Sequence, residues 1–146
     1  MAESLITLRD ARPEEAPVIE ALWQAAYGDA PRSTAQDIPA LLTHGPTARL
    51  FVAEMDGVFV GTLIAAFDGW RGNMYRLAVD PEYQRRGIAT RLVEHAHDWL
   101  RSIGCGRITA LVEGDHEWAT RFWVSAGYAY DETMRRYHLD IANREA

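Results

Sequence analysis

The chain has 146 residues, of which 48% are apolar and 25% are charged, ordinary values for a single globular domain over residues 1–146. A formal net charge of −6 argues against nucleic acid as the main partner. All 15 basic residues are arginine, which excludes lysine Schiff-base and lysine-nucleophile chemistry, and the single Cys105 excludes an internal disulfide. No apolar run is long enough to span a membrane and no leader-like segment is evident, so we expect a cytoplasmic protein with no membrane partner.

The first part of the chain predicts one strand and two helices. Residues 5–9 have the composition of a short strand. Pro13 then opens a helix with an apolar stripe at 3.6-residue spacing, which Gly28 ends. A second short helix is predicted over residues 34–42.

Three strands are predicted next. Residues 49–55 and 58–67 are apolar runs separated by Asp56-Gly57, a strong signal for a hairpin. A second turn leads into a strand over residues 73–79.

The last part of the chain predicts two helices and three strands. An amphipathic helix carries apolar residues from 88 to 103, and a strand follows at 107–112. Another helix covers residues 115–126, and two strands, 128–131 and 134–141, end the chain. The order β-α-α-β-β-β-α-β-α-β-β predicts an α/β fold with a mixed sheet, because a helix between strands 73–79 and 107–112 implies a right-handed parallel crossover.

The turn between strand 73–79 and the next helix predicts an anion-binding site. Backbone N–H groups at a helix N-terminus favour an anion, and Gly87 lets a ligand approach because it has no Cβ. The side chains before it add donors suited to phosphate oxygens. The residues expected to hold a pyrophosphate are Gln84, Arg85, Arg86, Gly87, Ile88, Ala89 and Thr90.

The run Gln84-Arg85-Arg86-Gly87-Ile88-Ala89, placed after Leu77-Ala78-Val79-Asp80-Pro81, resembles the Q/R-x-x-G-x-G/A signature of the GCN5-related N-acetyltransferases, the GNAT superfamily. The predicted element order is similar to that of the family over nearly the whole chain. The turn 67–72 followed by Tyr75 also resembles a bacterial subgroup of small stand-alone acetyltransferases, the YpeA-like proteins. The resemblance implies the GNAT fold, in which two central parallel strands splay apart and the pantetheine arm of acetyl-CoA enters the gap.

The same resemblance implies acetyl-CoA as co-substrate, with no metal. It implies that backbone groups of Leu77, Ala78 and Val79 pair with the pantetheine amides, and that the Val79 N–H stabilises the tetrahedral oxyanion. In the family a tyrosine usually protonates the leaving thiolate, but Trp123 falls at that position. Because an indole cannot give up its proton at useful pH, Trp123 is expected to pack against the pantetheine or thioester instead. His116 falls at a family asparagine position and either bonds a cofactor amide or simply starts a helix.

Two other side chains are candidates for proton transfer. Strand alternation predicts that Tyr75 shares a face with Leu77 and Val79, where its phenol could serve as the acid; an aromatic residue filling the sheet is the alternative. Glu113, at the end of a predicted strand, could act as base through water or be an exposed strand-end carboxylate.

Substrate recognition is predicted on the first two helices and the turn after the second hairpin strand. Trp23 and Tyr27 lie four residues apart and share a helix face, while Asp68 and Trp70 lie in the turn. An acidic and aromatic pocket suits an ammonium group.

Two arginines suggest an alternative hypothesis for the chemistry of the acceptor substrate. Arg71 in that turn and Arg76 in the following strand could instead hold a substrate carboxylate, or each could be a solvated residue.

Together these features predict an N-acetyltransferase that transfers acetyl directly from acetyl-CoA to a primary amine of a small molecule or peptide in a ternary complex. Cys105 lies away from the expected thioester, so no acyl-enzyme is expected. The alternative is a catalytically impaired CoA-binding sensor or interaction module, which Trp123 favours. Edge strands at the C-terminus would allow a homodimer.

Overall fold

The computed structural model describes residues 5–28, 37–43, 47–112, 114, 116–139 and 141. Within these residues, five strands form one mixed sheet in the order β1-β2-β3-β4-β5, antiparallel except for the last pair. Their bounds are Ile6–Asp10 for β1, Ala48–Met55 for β2, Val58–Phe67 for β3, Gly72–Val79 for β4 and Ile108–Ala110 for β5.

In the part of the chain that the structure describes, four α-helices cover the two faces of the sheet. They are α1 (Ala16–Tyr27), α2 (Asp37–Thr43), α3 (Ile88–Ser102) and α4 (Glu117–Ser125). One apolar cluster joins α1 and α2 to one face, and a larger cluster joins α3 and α4 to the other. The predicted α/β class and the element order through α4 are confirmed. No helix in the described part of the chain has the length and apolar character needed to cross a membrane.

Strand β4 contains a β-bulge that determines which side chains face which helices. Its register with β3 pairs Val79 with Gly61 and Ala78 with Thr62, but then Tyr75 with Ile64, so β4 holds one extra residue. The extra residue lies at Arg76, whose φ of 55° is in the left-handed region. A bulge of this kind bends its strand and re-aims the neighbouring side chains.

A buried hydrogen-bond chain supports the bulge. Thr62 is fully buried; its hydroxyl accepts the indole N–H of Trp23 at 2.8 Å and donates to the Arg76 carbonyl at 3.1 Å. Trp23 is buried as well, so the Thr62 hydroxyl satisfies an indole N–H that would otherwise be costly to bury.

The prediction of two final strands, over residues 128–131 and 134–141, is wrong for the described residues. Residues 128–139 and 141 form no strand, and Tyr137 and Leu139 are 88% and 70% exposed. Apolar alternation specifies a strand only where one of its faces becomes buried, and residues 129–139 are exposed. The homodimer expected from edge strands there stays a prediction.

Thr62→Val should destabilise the fold by about 2–3 kcal/mol, because it leaves the buried Trp23 indole N–H without the hydroxyl that accepts it and removes the hydrogen bond to the Arg76 carbonyl. Urea unfolding measures this change. Thr62→Ser keeps the hydroxyl and should cost about 1 kcal/mol for the lost methyl group. Equal losses in the two variants would contradict the role given to the hydroxyl.

Candidate active site

Strands β4 and β5 separate soon after they begin. They pair in parallel only as far as Met74 and Ala110, and one more bond runs from the Leu111 N–H to the Met74 carbonyl at 3.0 Å. From Tyr75 to Val79, β4 has no described strand on its β5 side. The splayed parallel pair is therefore present, and it opens a gap beside the second half of β4.

The register of β4 directs backbone groups into this gap. The Asp80 N–H donates to the Val60 carbonyl at 2.8 Å, which makes the neighbouring Val79–Gly61 pair a non-hydrogen-bonded one. The N–H and carbonyl of Val79 therefore point away from β3, toward the gap.

The turn after β4 has the geometry expected of an anion site. Arg85 and Gly87 have φ of 66° and 81°, and Gly87 is the N-cap of α3 with no side chain capping the helix. The amides of the first turn therefore have no intrahelical partner, and they carry the positive end of the helix dipole. No described heavy atom lies within 4 Å of where a Cβ of Gly87 would be, so there is open space for a ligand.

A cavity of about 400 Å³ extends from this turn along α4, and we call it the turn cavity. It brings together all of the predicted phosphate-binding residues except Arg86, whose guanidinium lies 5.1 Å from the Tyr83 ring centre. One face of α4 forms the opposite wall. This wall was not predicted from the sequence, although the spacing of its residues, three or four apart, is typical of one helix face. The lining residues are Val79, Tyr83, Gln84, Arg85, Gly87, Ile88, Ala89, Thr90, Trp118, Arg121, Phe122 and Ser125.

A second cavity, of about 130 Å³, lies in the gap itself, and we call it the gap cavity. Its lining combines aromatic and aliphatic residues with two arginines. The lining residues are Tyr27, Tyr75, Arg76, Leu77, Leu111, Val112, Ala119, Trp123 and Arg136. Arg136 was not foreseen, because the final segment was expected to be a strand.

Tyr75 does line the gap cavity, but the prediction that it shares a face with Leu77 and Val79 is wrong. Leu77 and Val79 pack with α3, whereas Tyr75 pairs with Ile64, which packs on the α1 face. The bulge at Arg76 is the reason, since one extra residue reverses the alternation on one side of it.

Tyr27 is fixed at the edge of the same cavity. Its hydroxyl donates to the carbonyl of Leu77, and its ring contacts that of His116 with centroids 4.8 Å apart. Trp23 was predicted to contact the substrate together with Tyr27. It is only 4% exposed and packs in the core.

His116 acts as the N-cap of α4. One ring nitrogen accepts the Ala119 N–H at 3.3 Å, and the other lies 3.3 Å from the Ala26 carbonyl. Both nitrogens are thus engaged in the protein, and the histidine lines neither cavity. Trp123 is 6% exposed and lines the gap cavity, with its ring 4.7 Å from that of Tyr128.

The remaining predicted residues do not meet at the cavities. Asp68, Trp70 and Arg71 lie in the turn before β4, at the opposite end of the strand from Val79. The Arg71 and Trp70 backbone N–H groups hold the pKa of Asp68 below its usual value, and the Arg71 guanidinium stacks 3.9 Å from the Trp70 ring centre. Ala78 is buried on the α1 face, and because its pair with Thr62 is a hydrogen-bonded one, its N–H and carbonyl point toward β3 and not into the gap. Glu113 lies outside the described residues.

No group of three or more His, Cys, Asp or Glu side chains within the described ranges could hold a metal ion. The anion-site geometry of the turn and the open edge of β4 beside it are the features that a transferase with an extended anionic donor would need.

Comparison with known proteins agrees with this class. The family model of the acetyltransferase (GNAT) family matches residues 15–128. An acetyltransferase from Sodalis glossinidius is 35% identical over 98 residues, covering 67% of this chain and 68% of that one. An acetyltransferase from Photorhabdus laumondii is 42% identical over 81 residues, covering 56% of each.

Among solved structures, aminoglycoside N-acetyltransferase AAC(6')-Iy in complex with CoA superposes with a TM-score of 0.77. That match covers 94% of this chain and 97% of the other at 18% identity, so it supports the fold. The chain belongs to the acetyltransferase (GNAT) family, it is an N-acetyltransferase, and its co-substrate is acetyl-CoA.

Gly87→Glu should abolish the rise in melting temperature that acetyl-CoA produces in the wild-type protein, because a carboxylate would then stand where the pyrophosphate binds. Thermal-shift titration measures the effect. Gly57→Glu is the matched control, since Gly57 also has a positive φ, of 84°, and open space around it, but lies in the β2–β3 turn. A full ligand-induced shift in Gly87→Glu would contradict the placement of the donor.

Proposed function

We propose that the protein transfers an acetyl group directly from acetyl-CoA to a primary amine while both substrates are bound. The observation that carries this proposal is that Leu77 lines the gap cavity and Val79 lines the turn cavity. The two residues lie on one face of β4, about 7 Å apart along the strand. A thioester running from the turn would end beside an amine in the gap.

The reaction requires a neutral amine. After the ammonium loses a proton, the nitrogen lone pair attacks the thioester carbonyl carbon and an N–C bond forms. The nitrogen gives up its second proton, the tetrahedral oxyanion collapses, the C–S bond breaks, and the thiolate accepts a proton. The products are an amide and CoA thiol, with one proton released to solvent.

The Val79 N–H is proposed as the oxyanion donor, because its direction into the gap follows from the strand register. The Tyr75 hydroxyl is proposed as the acid for the thiolate. Proton removal from the amine is assigned to water, with Glu113 as its acceptor.

Direct transfer is favoured over an acyl-enzyme by the location of the only cysteine. Cys105 precedes β5, where its Sγ donates to the Arg107 carbonyl at 3.3 Å, and it lines neither cavity. A neighbour named for aminoglycoside acetylation supports a small-molecule amine as the kind of acceptor.

Tyr75→Phe should lower kcat roughly a hundredfold and leave the KM for acetyl-CoA nearly unchanged, because it removes a proton donor and keeps the ring. Release of CoA thiol in the presence of an amine measures this. Tyr130→Phe is the control, since Tyr130 is 86% exposed and lines neither cavity.

Unchanged turnover in Tyr75→Phe would remove the phenol from the mechanism. A broad panel of primary amines tests the transfer itself. If acetyl-CoA binds and no amine releases thiol, the proposed reaction is wrong and a CoA-binding module is the better account.

A further inference from the structure

The wall that α4 contributes to the turn cavity carries side chains that the proposed transfer reaction does not use. Helix α4 presents two adjacent faces to the two cavities. Ala119 and Trp123 line the gap cavity, whereas residues spaced three or four apart line the turn cavity. The residues of this second face are Trp118, Arg121, Phe122 and Ser125. The second face therefore lies across the cavity from the turn at Gly87 and can contact whatever the cavity holds.

The two aromatic rings of this face are held side by side. Trp118 and Phe122 are one helical turn apart, with ring centroids separated by 5.8 Å and planes inclined by 12°. The Trp118 ring contacts that of His116 edge-on at 6.3 Å, and the Phe122 ring packs 5.4 Å from that of Trp123. Both rings are half-buried, so they offer the cavity an aromatic surface of the kind on which a nucleotide base stacks.

Arg121 adds a positive charge beside these rings. It is exposed, and within the described residues neither Glu117, one helical turn earlier, nor any other carboxylate forms an ion pair with it. The other charged residue among the described lining of the turn cavity is Arg85, which belongs to the turn. Two arginines thus face this cavity from different elements, one from each wall.

Acetyl-CoA has two separate anionic groups, a pyrophosphate and a phosphate on the 3′ carbon of its adenosine ribose. The amides of the turn and Arg85 suit the pyrophosphate. A phosphate monoester carries a charge of about −1.5 to −2 at pH 7, and a guanidinium pairs with two of its oxygens through parallel hydrogen bonds. An aromatic surface and a guanidinium on one helix face therefore match the base and the phosphate of an adenosine 3′-phosphate.

We propose that Arg121 binds the 3′-phosphate of acetyl-CoA and is the residue that distinguishes CoA from 3′-dephospho-CoA. The rings of Trp118 and Phe122 beside it reduce the access of water, which makes such an ion pair stronger than one in open solvent. This inference goes beyond the proposed function, because it concerns recognition of the donor and is independent of the acceptor. It also concerns a different phosphate from the one assigned to the turn.

Isothermal titration calorimetry without any amine tests the inference with CoA and 3′-dephospho-CoA, two probes that differ only in the 3′-phosphate. The wild-type protein should bind CoA roughly tenfold to a hundredfold more tightly, the range of one charged hydrogen-bonded contact. Arg121→Gln should remove this preference by weakening CoA binding, with the Kd of 3′-dephospho-CoA changed less than about twofold. Because Arg121 is exposed, the melting temperature of the ligand-free variant should stay within about 2 °C of the wild-type value.

Arg91→Gln is the matched control for the loss of one positive charge near the turn. Arg91 is exposed in the first turn of α3, its backbone N–H donates to the Gly87 carbonyl at 3.0 Å, and it lines neither cavity. An exposed charge without a contact to the ligand is screened by salt. The preference for CoA over 3′-dephospho-CoA should therefore change less than about twofold in this variant.

Three results would overturn the inference: equal binding of the two probes by the wild-type protein, an unchanged preference in Arg121→Gln, or an equal weakening of both probes by that substitution. The last result would place the guanidinium at the part that the two probes share. The same loss of preference in Arg91→Gln would also overturn it, because the effect would then be one of long-range charge. Failure of amine acetylation with the CoA preference intact would count against the proposed function alone.

Discussion

The end of strand pairing between β4 and β5 is the constraint on which the rest of the site depends. After Met74 and Ala110 the two parallel strands separate, so β4 continues with one edge open to the gap. Backbone N–H and carbonyl groups in a protein interior need partners. A ligand with amide groups along an extended arm can provide them, and the turn at the end of β4 has the geometry to hold an anionic group at one end of such a ligand.

One extra residue in β4 determines which groups of the strand lie at the gap cavity. The bulge at Arg76 turns Tyr75 to the α1 face and presents the Leu77 carbonyl to the Tyr27 hydroxyl. Thr62 and Trp23 hold the bulge from the core side. The position of Tyr75 at the gap therefore depends on contacts that Thr62 and Trp23 make in the core.

Some of this could be predicted from the sequence, because it depends on local patterns. The turn 84–90 was predicted from a glycine at a helix start preceded by polar donors, and all but Arg86 of its residues line the turn cavity. The bulge gives no local signal, since arginine disfavours a positive φ and only tertiary contacts impose it. Tyr75 was therefore assigned to the wrong face. The final strands were predicted from apolar alternation alone, which does not reveal whether a partner will bury one face.

The most direct test of the central claim is backbone hydrogen exchange with and without acetyl-CoA. The account predicts slower exchange of the amides from Val79 through Thr90, where the gap and the turn meet the donor, and no change at the Asp56-Gly57 turn. Unchanged exchange over residues 79–90 under saturating acetyl-CoA, with protection elsewhere, would contradict binding of the donor between β4 and β5.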